Sequence, residues 1–322
     1  MRWTRWKVFG LVAFLLVGLV VPSLADYPVT VTDDRGKQIT IPKRPERIVV
    51  AGTPLYTEIL IDLGALARIV GVAESPDNPK EVANVPRVGP SFNPNVEAII
   101  ALKPDVVFGA IGAIRDTLER AGLIVVSLGK VGTGAIDSVT EIFRTIRSVN
   151  LVIEGNTKLA DVLIGRIAEE IVIIEGTVLD RFKPTVAILY PSGEQPPFAA
   201  GRGTPENEIV LRAGGINVFP DVADYKQVSF EEIVKRDPSV IFTDPLLVPL
   251  ITGNRFLQEV KAVREKRVYG IKASQWVSSR IAQTIKTVAD LLHPSRGALL
   301  AEARLYGTLW TRYEVVEGAL RP

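Results

Sequence analysis

Side chains suited to nucleophilic or metal chemistry are scarce in this chain. Among its 322 residues there is one histidine, His293, and no cysteine. Catalytic Ser-His-Asp and Cys-His arrangements need an imidazole base, and structural zinc sites are built from Cys and His ligands. His293 stands just before Pro294 at the end of an amphipathic segment, where we expect a C-terminal helix cation or a surface residue. The sequence therefore argues against His-based triads and excludes disulfides, thiolate metal sites and multi-histidine metal sites.

Nucleotide-binding loops are also missing from the sequence. It has no G-x-G-x-x-G fingerprint and no P-loop, and the stretch Gly132-Thr133-Gly134 suits an ordinary turn. Paired carboxylates stay open as acid–base catalysts, because such partners meet in space and not in the sequence. We therefore predict a binding protein that is not an enzyme. The alternative from another class is a secreted two-lobed Rossmann-type enzyme such as a glycosyltransferase.

The first 25 residues have the composition of a secretory signal peptide. Three basic residues precede an apolar run at 8–21, and small residues stand at the cleavage positions before Asp26. The apolar run has about 14 residues, fewer than the ~20 that span a bilayer. We expect cleavage after Ala25 and a periplasmic or secreted product without a cysteine for lipidation.

Loss of that segment changes the balance of charge. The full chain has a formal charge of +2, and residues 1–25 contain three basic and no acidic side chains. The mature chain is therefore slightly acidic, and no basic run with interleaved aromatic residues appears in it. Such a composition does not favour a phosphate backbone, so nucleic acid is not an expected partner.

Two stretches of alternating strands and helices indicate an α/β fold. The first follows a hairpin pattern with Asp33-Asp34-Arg35-Gly36 at its turn, and its strands are RIVVAG, RIVGVAES, DVVFGA and LIVVSLG. Continuously apolar strands between helices are typical of a parallel sheet covered on both faces. The same plan begins again after Pro184 and ends in a helix predicted for 298–313. We therefore predict two lobes, each with a parallel sheet.

A long helical pattern separates the two stretches. Apolar residues recur at steps of three and four from Asn156, a predicted N-cap, to about Arg181. About 25 residues at ~1.5 Å each make a rod of roughly 38 Å, which could brace both lobes. The predicted domains are a signal peptide, 1–25; an N-terminal lobe, 26–150; a linking long helix, 151–183; and a C-terminal lobe, 184–322.

An internal repeat relates the two lobes. The segment NVEAIIALKPDVVF from Asn95 aligns without a gap with SFEEIVKRDPSVIF from Ser229. Each copy has a capping residue, a carboxylate two positions later, a helix, a proline and a strand. Glu97 and Glu231 therefore occupy equivalent places in a first helical turn, where the dipole favours a carboxylate. Glu232 has the capping-box position relative to Ser229, which leaves Glu231 free.

A pair of α/β lobes creates a cleft, and ligands of parallel sheets bind at the carboxyl ends of the strands. Loops predicted at those ends include 197–202 and the segment before Trp276. This tryptophan is a candidate platform for a flat ligand, or a residue that packs between the lobe and the terminal helix. Arg202 and Arg280 are candidate clamps for carboxylates or catecholates, or solvated surface charges. The predicted ligand-binding residues are Thr53, Tyr56, Ser91, Phe92, Arg202, Asp244, Trp276 and Arg280.

Several motifs resemble, in order, those of the periplasmic binding proteins for iron–siderophore complexes and cobalamin. They are DDRGKQITIPKRPERIVV, NVEAIIALKPDVVFG, NEIVLRAGG and VSFEEIVKRDPSVIF, and the resemblance covers nearly the whole mature chain. It implies two Rossmann-like lobes bridged by one long helix, with little hinge motion. It also implies delivery of a metal chelate to the permease and ATPase of an ABC importer. Glu97 and Glu231 match the glutamates that dock into arginine pockets of the permease in that family.

The motifs do not identify the ligand. Relatives that bind heme commonly have a tyrosine near Ser91-Phe92, the cobalamin-binding relative has a tryptophan in that loop, and some hydroxamate-siderophore relatives have an arginine. None of these stands here. A ferric siderophore is preferred on its frequency in the family, followed by cobalamin and then another anionic metal complex. The metal would arrive within the chelate, so we expect a monomer with neither a resident metal nor a cofactor.

Overall fold

The computed structural model describes residues 27–294 and the backbone of a short strand pair, 315–316 with 319–320. The predicted signal peptide, its cleavage site after Ala25 and the helix predicted for 298–313 lie outside the described residues. No helix of the described part is long and apolar enough to cross a membrane.

The described elements alternate between strands and helices, as the sequence predicts. The strands are β1 Val29–Thr32, β2 Gln38–Ile41, β3 Ile48–Val50, β4 Ile69–Glu74, β5 Arg87–Pro90, β6 Val106–Phe108, β7 Val125–Val126, β8 Thr185–Ser192, β9 Gln195–Ala200, β10 Ile216–Asn217, β11 Tyr225–Gln227, β12 Val240–Thr243, β13 Val268–Gly270, β14 Val315–Val316 and β15 Ala319–Leu320. The α-helices are α1 Pro54–Asp62, α2 Val96–Ala101, α3 Gly112–Arg120, α4 Val139–Glu154, α5 Lys158–Val178, α6 Pro205–Arg212, α7 Phe230–Arg236, α8 Val248–Thr252, α9 Lys261–Arg264, α10 Ala273–Trp276 and α11 Ile281–Leu292. Short 3₁₀ helices cover Leu66–Arg68, Lys80–Val82 and Pro245–Leu247.

The N-terminal lobe contains a five-stranded parallel sheet with the order β5-β4-β3-β6-β7. Its central strand, β3, is buried at all three positions, which explains its continuously apolar sequence. The predicted hairpin precedes the sheet as β1 and β2, with Val29 opposite Ile41. Gly36 adopts φ = 81° in the turn, a conformation that glycine reaches without steric cost.

The C-terminal lobe has a mixed sheet, so the prediction of two parallel sheets holds only in part. Its strand order is β11-β9-β8-β12-β13, with β10 beside β8. β8, β10, β12 and β13 are parallel, whereas β9 runs antiparallel to both β8 and β11. The predicted loop 197–202 therefore lies largely in β9. Gly193 and Glu194 form the tight turn, with Gly193 at φ = 60°, that reverses the chain after β8.

The linking helix begins later and ends earlier than predicted. α5 has 21 residues, and Thr157 occupies its N-cap position. Asn156 is not the N-cap, although its side chain accepts a hydrogen bond from the Lys158 backbone N–H at 3.1 Å. At ~1.5 Å per residue α5 is about 32 Å long. Gly155 in the left-handed conformation, with φ = 70°, separates it from α4.

α5 connects the apolar cores of the two lobes. It packs against α4 on the N-terminal side and against α11 on the C-terminal side. The largest buried cluster accordingly contains Val50 and Ile146, Ile167 of α5, and Ile188 and Ile285. Because such cores are close-packed, this continuity favours a fixed arrangement of the lobes over free hinge motion.

Candidate ligand cleft between the lobes

Two of the polar contacts that join the lobes lie on either side of the cleft. The first contact joins Asp77, which follows β4, to Lys272 and Ser274, which follow β13. The Asp77 carboxylate lies 2.7 Å from Lys272 Nζ and accepts a hydrogen bond from Ser274 Oγ at 2.8 Å. Beyond β7, the backbone N–H of Val139 donates to Glu208 Oε2 at 2.9 Å, at the start of α6. The two contacts lie toward opposite edges of the two sheets. The cleft is the space between them, where the carboxyl ends of both sets of parallel strands face each other.

The N-terminal wall of the cleft contains three of the predicted residues. Thr53 is exposed between β3 and α1, and its side chain makes no capping hydrogen bond. Ser91 is half-buried after β5 and donates from Oγ to the Glu74 carbonyl at 3.2 Å. Phe92 leaves 85% of its surface exposed, an unusual state for a large apolar side chain. These three residues are free to contact a ligand, and their binding role stays a prediction.

Gly52 and Gly109 pack closely at the base of the N-terminal wall. A Cβ atom placed on Gly52 would lie 2.8 Å from the Gly109 Cα. The backbones that leave β3 and β6 therefore touch, and Gly109 has φ = 80° at this place. Only residues without a side chain allow the two backbones to come so close, so backbone atoms form the base of the N-terminal wall.

The C-terminal wall holds two further predicted residues. Arg202 is exposed beyond β9, and its backbone bridges to Ala223. Asp244 is half-buried beyond β12 and accepts a hydrogen bond from the Leu246 N–H at 2.9 Å. The carboxylate thus has a local structural role at the cleft edge. The binding roles of both residues remain predictions.

Two predicted ligand residues are buried in the core. Tyr56 Oη accepts a hydrogen bond from the Leu128 N–H at 2.7 Å, and its ring stacks on Phe108 with centroids 5.7 Å apart. Trp276 is only 1% exposed and packs edge-on against Phe242 at 6.1 Å. Neither ring offers a free face, because each fills space between helices and a sheet. The expectation of an exposed tryptophan platform is therefore wrong for this structure.

Arg280 faces another part of the lobe junction. Its guanidinium lies 3.7 Å from an oxygen of Asp62, a residue of α1. Beside it, Ser278 Oγ donates to Glu58 at 2.6 Å. Burial raises the pKa of Glu58, and the Ser278 and Arg280 groups only partly oppose that effect. Arg280 thus contacts the N-terminal lobe, and the predicted role as a ligand clamp would require it to leave these carboxylates.

The structure also brings together three side chains that the sequence does not connect. Tyr190 of β8 donates to Glu206 Oε1 at 2.7 Å, and the Tyr225 Oη lies 3.0 and 2.8 Å from the two oxygens of the same carboxylate. We call this set the Tyr-Glu-Tyr triad. Burial and the nearby carboxylate raise the pKa of both tyrosine hydroxyls. The only sequence signal for it is the position of Tyr190 at the end of an apolar strand.

Conventional metal ligands do not cluster in the part of the chain that the structure describes. The described residues contain no group of three or more His, Cys, Asp and Glu side chains placed to bind a metal ion. Burial lowers the pKa of His293, which disfavours the predicted helix cation. His293 lies at the end of α11, and its Nε2 is 3.1 Å from the carbonyl oxygen of Ala213. The Tyr-Glu-Tyr triad is a cluster of another kind, since two of its oxygens come from phenols.

Glu97 and Glu231 occupy matching positions, as the repeat predicts. Each is exposed in the first turn of its helix, after an N-cap whose side chain accepts a backbone N–H. In residues 27–294 neither carboxylate lies within 4 Å of a basic side chain. Glu232 forms an ion pair with Arg236, so its carboxylate does not close the predicted capping box with Ser229. Both Glu97 and Glu231 are thus available at the surface.

Comparisons with known proteins agree with this architecture. A Bacillus subtilis protein called uncharacterized ABC transporter substrate-binding lipoprotein YvrC is 27% identical over 310 residues, which cover 90% of this chain and 96% of that protein. The vitamin B12-binding protein of Vibrio parahaemolyticus is 25% identical, over 79% of this chain and 90% of its own.

A solved structure shows the same fold. The crystal structure of a possible iron-binding (periplasmic solute-binding) protein from Staphylococcus epidermidis superposes with a TM-score of 0.68 at 25% identity, over 78% of this chain and all of that one. Residues 49–275 match the sequence model of the periplasmic binding proteins. The sequence match and the two-lobed α/β fold point to the same family. The chain therefore belongs to the periplasmic binding protein family.

Proposed function

We propose that this chain is the extracytoplasmic substrate-binding component of an ABC importer and captures a metal chelate in the cleft. The observation that carries the proposal is the match over residues 49–275 to a binding-protein family whose lobes face each other across such a cleft. The similarity to a protein named as an ABC transporter substrate-binding lipoprotein supports the same role. A carrier of this kind binds and releases its ligand unchanged, so we propose no enzymatic activity.

A ferric siderophore is the preferred ligand. Hydroxyl groups, an exposed arginine and an exposed phenylalanine line the two walls, and they suit an anionic chelate with oxygen atoms and apolar parts. The solved relative from Staphylococcus epidermidis is named as possibly iron-binding, which supports iron. Cobalamin is the second candidate, because the Vibrio parahaemolyticus relative is named a vitamin B12-binding protein.

The location we propose is outside the cytoplasmic membrane. The signal-like composition of residues 1–25 and the family support it. The Bacillus subtilis relative is called a lipoprotein, but this chain has no cysteine to carry a lipid. We therefore propose a free, monomeric protein that meets its permease by diffusion.

Glu97 and Glu231 are the proposed docking residues for that permease. They are exposed, equivalent by the internal repeat, and unpaired with basic side chains among residues 27–294. A carboxylate without a local partner can pair with a partner's arginine without first breaking a contact.

A binding screen tests the function. Thermal unfolding of the purified protein should be measured with ferric hydroxamate and catecholate siderophores, cobalamin, heme and sugar nucleotides. A ligand at 100 times its Kd stabilises the folded state by about 2.7 kcal/mol, which raises Tm by several degrees. A shift with a siderophore or with cobalamin supports the carrier. A shift with sugar nucleotides alone would contradict it and favour the enzyme.

Phe92→Ala connects such a shift to the cleft. We expect weaker binding and little change in the unfolding of the free protein, because the ring is 85% exposed. Phe182→Ala is the matched control, since Phe182 is equally exposed but lies beyond α5. Equal effects of both variants on affinity would place the ligand outside the cleft.

A further inference from the structure

The Tyr-Glu-Tyr triad combines three oxygen donors from three separate elements. Tyr190 lies in β8, Glu206 in the first turn of α6 and Tyr225 at the start of β11. The hydroxyls of both tyrosines lie 2.7 to 3.0 Å from oxygens of one carboxylate. The two rings are tilted by 59° with their centroids 6.2 Å apart, so the oxygens converge while the rings diverge.

The carboxylate in the middle of the triad has no compensating cation nearby. Glu206 is only 4% exposed. Within residues 27–294, no Lys, Arg or His nitrogen lies within 4 Å of its oxygens, whereas the buried carboxylates Asp33 and Glu141 each pair with an arginine. Two phenol donors are its only side-chain hydrogen-bond partners in that range. A buried carboxylate without a positive partner costs stability, and such groups are frequent at functional sites.

The triad lies on the cleft side of the C-terminal lobe. Ile188 of β8 pairs with Phe242, so Tyr190 is two residues closer to the carboxyl end of the parallel strands. Glu206 shares the first turn of α6 with Glu208, which contacts the other lobe. Tyr225 is 46% exposed, so its side of the carboxylate can be reached from solvent. A ligand held between the lobes can therefore approach the triad from the side of Tyr225.

We propose that Tyr190, Glu206 and Tyr225 bind a ferric ion directly, as three oxygen ligands to a chelate that leaves coordination positions open. This inference rests on the proposed function, because the ion arrives as cargo. Two ligands at right angles and about 2.0 Å from an ion are about 2.8 Å apart, which matches the spacing within the triad. The present cluster therefore needs little rearrangement to surround an ion.

Binding to the triad exchanges protons and water ligands for bonds to iron. When the ion binds, three water ligands leave the open positions of the chelate, both phenol O–H bonds break, two protons pass to solvent, and two phenolate–iron bonds and one carboxylate–iron bond form. The iron stays ferric, so no electron is transferred.

The site also narrows the class of substrate. Six oxygen donors of a hexadentate siderophore leave no position for a protein ligand, and the corrin ring of cobalamin holds cobalt and not iron. A chelator with three donors leaves three positions, which the triad can fill. We therefore expect ferric complexes of low denticity to bind more tightly than saturated ones.

Titration with ferric iminodiacetate, a chelate with three donors, tests the proposal. We expect a visible phenolate-to-iron charge-transfer band and release of up to two protons per iron bound. Tyr190→Phe and Tyr225→Phe should each weaken the band and lower the affinity about tenfold or more, as loss of a metal contact does. Tyr269→Phe is the matched control, because Tyr269 is a half-buried tyrosine of β13 outside the triad. Glu206→Gln should lower affinity while both phenols remain.

The result that overturns the proposal is a folded protein that binds the chelate without the band, or a band that survives in the Tyr190→Phe/Tyr225→Phe double variant. Thermal unfolding of each variant without iron shows whether it is folded, and the single variants serve if the double variant is not. Tight binding of a hexadentate siderophore without the band would overturn the triad assignment and leave the proposed function intact. Absence of binding to every chelate would contradict both.

Discussion

Asp77 and Lys272 join the two lobes through an ion pair of 2.7 Å between Oδ1 and Nζ. Asp77 follows β4 and Lys272 follows β13, so the pair connects the carboxyl edges of the two sheets. Burial would raise the pKa of Asp77, but the hydrogen bonds from Lys272 and Ser274 outweigh it and hold the pKa below its ordinary value. This pair is therefore a pH-dependent link at one end of the cleft.

Asp77→Asn should weaken that link. We expect a loss of about 0.2–1 kcal/mol at pH 7, because the Lys272 side chain is half exposed and solvent screens the pair. The carboxylate contributes fully above its unfolded pKa of about 3.9, and the contribution is lost as the pH falls through the lower folded value. The difference between wild type and variant should therefore shrink in strong acid. Urea unfolding at pH 7 and below pH 3 measures it.

Asp290→Asn is the control for the Asp77 experiment. Asp290 pairs with Lys286 at 2.6 Å within α11, where both side chains are exposed. Its loss should cost no more than ~0.5 kcal/mol and should not alter ligand affinity. Identical effects of the two variants on ligand affinity would show that the Asp77 pair has no particular role at the cleft.

Glu58→Gln should stabilise the protein at neutral pH. Burial raises the pKa of Glu58 in the folded state, so the protein takes up a proton there more readily than the unfolded chain does. Stability from this group is therefore greatest in acid and decreases as the pH rises through the folded pKa. The Gln variant lacks this decrease and still accepts the hydrogen bond from Ser278. Thermal unfolding between pH 4 and pH 8 compares the two proteins.

A lower Tm of Glu58→Gln at neutral pH would contradict this reasoning. It would show that the carboxylate is held by Arg280 and Ser278 more strongly than burial opposes it. Glu81→Gln is a suitable control, because Glu81 is exposed and lies 4.0 Å from the same arginine. We expect that variant to unfold like the wild type.

Trp276 should matter for stability and not for ligand affinity. Trp276→Ala leaves a cavity beside Phe242 and should cost about 3–5 kcal/mol. Trp276→Phe should cost less, because it keeps a ring and removes an indole N–H that has no hydrogen-bond partner in the described part of the chain. Calorimetry of ligand binding checks the second half of the prediction. A large loss of affinity in a well-folded Phe variant would return Trp276 to the ligand site.

Local patterns were sufficient to predict the repeated units of the fold. Asn95 and Ser229 cap α2 and α7 by accepting the N–H groups of Ala98 and Glu232. The cap, the helical period, the proline and the apolar strand all lie within fourteen consecutive residues in each copy. Because these signals are local and agree with each other, the sequence predicts the elements and their order.

Features that depend on distant residues could not be predicted in this way. β9 contains Pro196 and Pro197, which lack the N–H of a strand residue, and its pairing depends on β8 and β11. The local sequence does not show that Phe92 is exposed and Trp276 is buried, because burial depends on distant residues that pack against each ring. The Tyr-Glu-Tyr triad requires three elements to meet, so no spacing in the sequence reveals it.

The last prediction concerns the exposed glutamates Glu97 and Glu231. Their replacement by Lys should leave folding and ligand affinity unchanged, because both carboxylates point away from basic partners in the described residues. It should impair the ligand-dependent stimulation of the importer's ATPase, since a rim charge that meets an arginine pocket then repels it. Such a reversal can cost several kcal/mol at an interface and falls mainly on the association rate.

A double variant with the same change in charge separates docking from net charge. Glu169→Lys/Glu170→Lys alters two exposed carboxylates of α5, away from the carboxyl edges of the sheets. If Glu97 and Glu231 dock, only their double variant slows transport, and high salt reduces the difference between it and the wild type. Normal ATPase stimulation by the Glu97→Lys/Glu231→Lys protein would remove the docking assignment. Loss of ligand binding in that protein would instead place these carboxylates in the fold or the cleft, where a positive charge disturbs the structure itself.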